Sequence, residues 1–226
     1  MKYELRNRVP FLVTKWSIFL VGLVVMAFGI VLMIKADIGS APWDVLHIGL
    51  YKQLGLSIGT WSIIAGFFVL FATSILAKEW PQLGAFFNMV LVGVFIDLFM
   101  MLSFIQTPQS NFEKIVMLIV GIIIIGYGIG LYISAKCGAG PRDTLMLVLT
   151  KKTGWKVQHI RGAMEVVVLS IGFLLDGPVF IGTFIFCFSI GPIVGFTLPQ
   201  CEKLANKLMT PKHIETSITP EIQMGE

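Results

Sequence analysis

The chain has 226 residues, of which 56% are hydrophobic and only 13% charged, with a formal net charge of +4. A mean hydropathy of +0.85 excludes an ordinary soluble domain and points to a protein that crosses a membrane several times. The modest positive charge needs no nucleic-acid partner, because basic loops facing an anionic leaflet account for it.

Taken in chain order, the first feature is a basic lead, residues 1–15, with Lys2, Arg6, Arg8 and Lys15. A predicted span, Trp16 to Ile34, follows. It is too long for a signal-peptide core, and Pro42 stands just after Ala41, where cleavage would be wanted. Five more runs approach or exceed the ~20 helical residues needed to cross a bilayer: Ile58 to Ala77, Leu83 to Phe104, Ile115 to Ile133, Val157 to Leu175 and Val179 to Leu198. The fold class is therefore all-α, a polytopic membrane bundle of six spans.

A motif follows the first span and recurs after the fourth: Gly39-Ser40-Ala41-Pro42-Trp43-Asp44, and Gly138-Ala139-Gly140-Pro141-Arg142-Asp143. The offset is 99 residues, and Gly22 to Gly55 matches Gly121 to Gly154 at 13 of 34 ungapped positions, the mark of an internal duplication. Residues 16–107 form the first repeat and residues 115–199 the second. Each holds three spans, an odd number, so the second copy enters the membrane from the opposite side.

With the N-terminus inside, 14 of the 17 basic residues fall in inside segments, a strong positive-inside bias that also places the C-terminus inside. Gly39 to Asp44 then sits at the outer face and Gly138 to Asp143 at the inner face. Because both preceding spans end near charged residues, the two turns are expected near opposite membrane surfaces rather than meeting at the midplane.

Each motif starts a short predicted helix, Pro42 to Leu54 and Pro141 to Thr153. Proline suits the first turn, Asp favours the positive N-terminal end, and Gly55 and Gly154 terminate the helices. At ~20 Å each is too short to cross, so each lies in the interface or re-enters the membrane. In the first, Asp44, His47 and Tyr51 share one face, which suits the interface. The second, Thr144 to Thr150, is mostly Leu and Met, which suits burial. Asp44 and Asp143 can cap these helix starts, or the starts can attract an anion, so the sign of any ligand stays open.

Isolated polar groups within spans are the remaining candidates. Asn88 and Asp97 lie in the third span, Asp97 about 10 Å from its outer end. In the fifth, Glu165 lies about 12 Å from the inner end and four residues after Arg161, within reach of a surface ion pair. An ionisable residue at such depth is a functional candidate by default. Glu165 matches Gly66 of the first repeat, and Asp97 matches Gly195 after a one-residue shift, so both acids break the internal symmetry.

The tail, residues 200–226, reads as a membrane-surface helix over Cys201 to Met209 and an unstructured end from Pro211. No catalytic, metal-ligating or cofactor signature is present, and the three cysteines give no pairing pattern. An enzyme is thus the least favoured class.

At its paired G-[SA]-x-P-x-D motifs the chain resembles the YczE/YyaS/YitT family of bacterial integral membrane proteins, with Arg142 departing from the Trp of the first copy. The resemblance implies a bacterial cytoplasmic-membrane location and names no substrate. Two functions follow as expectations. One is a carrier of a small solute working by alternating access between inverted repeats. Its candidate site residues are Asp97, Glu165, Asn88, Asp44, Asp143, His47, Arg142 and Trp43, with Gly39, Pro42, Gly138 and Pro141 as the structural motif. The other is a membrane regulator or scaffold whose basic inner loop, Lys151 to Arg161, and tail dock a protein partner. A second copy of the chain is a further partner class beside the lipid bilayer.

Overall fold

A computed structural model describes the backbone of residues 2–209, and the side chains of residues 11–156 and 159–209. The basic residues Lys2, Arg6 and Arg8 of the lead, and the tail end from Pro211, lie outside what it describes in side-chain detail. Among the described residues the chain is entirely helical: α1 (Lys2–Ala36), α2 (Pro42–Leu54), α3 (Ile58–Ala77), α4 (Leu83–Met100), α5 (Asn111–Ser134), α6 (Pro141–Thr153), α7 (Val157–Leu174) and α8 (Ile181–Met209). Five of them, α1, α3, α4, α5 and α8, are long and apolar enough to cross a membrane. The helix α7, 18 residues with Arg161 and Glu165 among them, is not one of the five.

The bundle is centred on α1 and α5. Without water to drive apolar surfaces together, helices in lipid associate through close packing, and small residues allow it. A Cβ on Gly22 would strike the backbone of Gly128 and Tyr132, one on Gly29 that of Gly121 and Ile125, and one on Gly128 would lie 2.5 Å from the Met26 nitrogen. The two helices therefore cross antiparallel. Gly22 meets Gly128 and Gly29 meets Gly121, so each glycine touches the counterpart of the other. Around this pair α2 packs on α7, α3 on α6, α1 on α4 and α5 on α8. The two sequence repeats thus interleave.

The duplicated turns follow one backbone path. Asp37 and Lys136 both take left-handed φ, 55° and 53°, as do Gly39 and Gly138 at 118° and 141°, and Gly55 and Gly154 at 75° and 72°. At Gly39 and Gly138 a side chain would also collide with its neighbours: Thr183 for the first, Gln82 and Ala85 for the second. Each turn therefore packs on the start of the last helix of the other half. The Gly182 amide donates to the Ile38 carbonyl at 2.8 Å, and Gly84 sits against the Cys137 carbonyl.

Three expectations change. The short helix α2 does not lie on the surface: Pro42, Trp43, Asp44, Val45, His47, Ile48 and Gly49 are buried, and only the Tyr51 end is exposed. The helix α6 is the less buried copy, with Pro141 its one buried residue and Leu147 exposed. The polar face of α2 looks into the bundle, and Leu147 of α6 reaches the periphery. Finally, residues 200–209 continue α8 through Pro199 instead of forming a separate surface helix. A proline inside a membrane helix is tolerated where neighbours satisfy the freed backbone groups.

Helix proximity at the glycines sets a stability contrast. Gly128→Ala forces a methyl group into the α1 backbone and is expected to destabilise by about 1–3 kcal/mol. Gly162→Ala in α7, where an added Cβ meets nothing within 4 Å, should stabilise by about 0.5–1 kcal/mol. Thermal melts of the two purified variants read the difference, and equal melting temperatures would contradict the crossing.

Candidate functional site

The two motif copies meet. The Arg142 guanidinium lies 4.7 Å from the centre of the Trp43 ring, a cation–π contact. Pro42, Trp43 and Asp44 line one cavity together with Pro141, Arg142 and Asp143. The expectation that the turns stay apart near opposite surfaces is therefore corrected. Both short helices begin at the cavity, and long side chains close the remaining gap between them.

This cavity, about 140 Å³, is shaped by equivalent positions of both repeats. Met26 and Ile125, Ser62 and Arg161, Gly66 and Glu165 are counterparts at the 99-residue offset, and all face it. Asn88 and Phe186, and Val92 and Ile190, are counterparts after the one-residue shift. The shell is symmetric in position and asymmetric in chemistry.

Several polar atoms on this shell have no partner. Asp44 and His47 are each 1% exposed and Asn88 is 6% exposed. Asp44 Oδ1, His47 Nδ1 and Asn88 Nδ2 make no hydrogen bond among the described residues. Asp44 Oδ1 and His47 Nδ1 are 3.8 Å apart, too far for a direct bond. Leaving such groups buried and unsatisfied costs several kcal/mol each in order of magnitude, which makes this shell the candidate site. Other groups are engaged. The Arg161 Nε donates to Glu165 at 3.2 Å, and the Tyr132 hydroxyl donates to Asp143 at 2.5 Å. Neither α2 nor α6 receives a side-chain cap at its start, so Asp44 and Asp143 do not close those ends.

Of the eight candidate side chains, seven line the cavity: Glu165, Asn88, Asp44, Asp143, His47, Arg142 and Trp43. Asp97 does not. Its carboxylate accepts the Gly59 amide at 2.8 Å and the Ser57 hydroxyl, and so caps the start of α3. Gly39 and Gly138 shape the turns and do not face the cavity. Sequence reasoning missed Tyr132 and Ser62. It treated Arg161 as the ion-pair partner of Glu165 and the end of a basic inner loop, and not as a cavity residue, although its counterpart position, Ser62, faces the same space.

The contrast between the two aspartates is measurable. Asp97→Ala strands the Gly59 amide and should cost about 1–3 kcal/mol without altering ligand binding in the cavity. Asp44→Asn neutralises a buried carboxylate with one unpartnered oxygen, and should raise the melting temperature if its place is kept for function rather than stability. Thermal melts of both variants decide: a fall with Asp44→Asn as large as that with Asp97→Ala would make Asp44 a structural group.

Comparison with known proteins agrees with this membrane architecture. Residues 13–199 match the model of a family of unknown function, DUF6198. The chain is 40% identical over 213 residues to the uncharacterized membrane protein YczE of Bacillus subtilis (strain 168), covering 93% of this chain and 98% of that one. It is 32% identical over 182 residues to an uncharacterized protein of Haemophilus influenzae, covering 80% and 82%. It is also 26% identical over 191 residues to YyaS of Bacillus subtilis, covering 84% and 94%. No solved structure matches. The chain is a multi-pass membrane protein that belongs to the DUF6198 family and is related to YczE and YyaS.

Proposed function

We propose that the chain is a carrier of a small polar solute in the bacterial cytoplasmic membrane, working by alternating access between two inverted repeats. In this reading α7 is the sixth span, its Arg161 and Glu165 turned toward the cavity rather than lipid, and both termini are cytoplasmic. The observation that carries it is the convergence of both motif copies on one cavity, with unpartnered polar atoms from α2 and α4 around it.

Three features support the mechanism. The reciprocal glycine contacts of α1 and α5 are those expected about a two-fold axis running between the helices. The symmetric shell gives each half the same set of backbone positions, so the halves can exchange arrangements, as inverted repeats do in secondary transporters. The Trp43–Arg142 contact joins the halves across the cavity and would break and re-form as access alternates. Contacts at one end of the bundle agree with the spans: Lys114 pairs with Asp37 at 3.5 Å, and Lys52 donates to the Asp176 carbonyl at 2.9 Å, so the three loops assigned outside lie together. No covalent step is required, and the reading is of a non-enzyme.

Proteoliposomes of the full chain test it. A counterflow panel of small amino acids, carboxylates, amines and neutral amides is expected to find at least one solute that wild type moves. Arg142→Gln should slow that flux at least tenfold while keeping the wild-type melting profile. Reporter fusions at either terminus should read the cytoplasmic side. Wild type that moves nothing in the panel, or a terminus on the outside, would overturn the proposal.

A further inference from the structure

We infer that the cavity takes a small zwitterion, with its anionic group at Arg142 and its ammonium group between Asp44 and His47. The inference rests on the carrier reading and names its substrate class.

Charge comes first. Asp44, Asp143 and Glu165 face the cavity against Arg142 and Arg161, so three acids against two arginines leave one negative charge with His47 neutral. The uncapped starts of α2 and α6 each add roughly half a positive charge. The sum is near zero, and a multiply charged anion or a polyamine would be held against an uncompensated field.

The polarity of the site is nevertheless strong. With Arg161 bonded to Glu165, Arg142 remains as a cation facing two carboxylates, Asp44 and Asp143, the second of which also accepts from the Tyr132 hydroxyl. Among the described residues no ion pair joins them within 4.0 Å. Arg142 presents a planar fork of donors that suits a carboxylate, fixed in orientation by the Trp43 ring. Asn88 Nδ2 adds an unpartnered donor beside Gly140, the residue from which the second short helix starts. These groups and the start of α6 define an anionic pole.

The opposite pole is made of acceptors. With the imidazole neutral and its proton on Nε2, Asp44 Oδ1 and His47 Nδ1 both accept. A donor nitrogen about 2.9 Å from each spans their 3.8 Å separation. An ammonium with three N–H bonds fits there, whereas a quaternary amine has no proton to give. Size completes the description: a water needs about 10–15 Å³ of such space, so 140 Å³ holds the equivalent of about ten waters, which suits a solute of about that many heavy atoms or fewer and excludes a nucleotide.

Isothermal titration of the full-length protein in detergent tests this with probes of matched size. L-Alanine, L-serine and β-alanine carry both poles, propionate and propylamine carry one each, and propionamide carries neither charge. At least one zwitterion should bind ten times more tightly than any of the other three probes. Asp44→Asn and Arg142→Gln should each weaken it tenfold or more. Asp44→Asn should also improve propionate binding at least threefold, a gain that misfolding cannot produce. The inference fails if no zwitterion binds wild type, if a single-pole probe or propionamide binds as tightly, or if Asp44→Asn leaves zwitterion binding unchanged. Zwitterion binding without flux supports this site and removes the carrier; flux of another solute class without zwitterion binding removes this site and leaves the carrier.

Discussion

The fold depends on one close antiparallel crossing. In lipid, two apolar helices gain little from meeting unless their backbones approach, so association rests on where small residues lie. Gly22, Gly29, Gly121 and Gly128 put α1 and α5 in backbone contact, and they do so reciprocally. Once that crossing is made, the rest of each half is carried to the other side. The turn after α1 is led onto the start of α8, and the turn after α5 onto the start of α4. The left-handed residues Asp37, Gly39, Lys136 and Gly138 then set the same direction of departure for both short helices.

A symmetric frame filled with unlike side chains has a chemical consequence. Positions equivalent by sequence come to face each other across the same cavity, so every difference between the repeats becomes a difference between two sides of one site. Trp against Arg at 43 and 142 becomes a stacked pair rather than two separate features. Gly66 against Glu165 and Ser62 against Arg161 put the larger polar group in the second repeat, and Asn88 against Phe186 puts the polar group in the first. A duplicated bundle with identical halves would present only matched groups at its axis, whereas here the aspartates are matched and the arginine is not.

Much of this was legible in the chain because its signals are local. Proline at the first turn and glycine after the last fixed α2 and α6 to the residue, and the apolar run Ile58 to Ala77 is α3 as it stands. Seven of eight candidate side chains line the cavity because isolated polar residues in apolar helices have few places to go. What sequence could not supply was the environment of a face. A polar stripe such as Asp44 and His47 suits water or a polar interior equally, and only the tertiary partner, here Arg142 from the other repeat, distinguishes them. Asp97 shows the same limit in reverse: its depth suggested function, yet the free amide of Gly59, 38 residues away, claims it.

The division between α1–α5 and the cavity also explains how unsatisfied groups persist. Asp44, His47 and Asn88 hold no contact at the glycine crossing, so their desolvation is offset by packing elsewhere. That packing does not require them to be paired. A carrier needs this arrangement, because groups that must meet a solute in one state and release it in another cannot be locked to protein partners in either. The fold thereby places its most demanding packing at the glycine crossing and its least satisfied chemistry at the cavity.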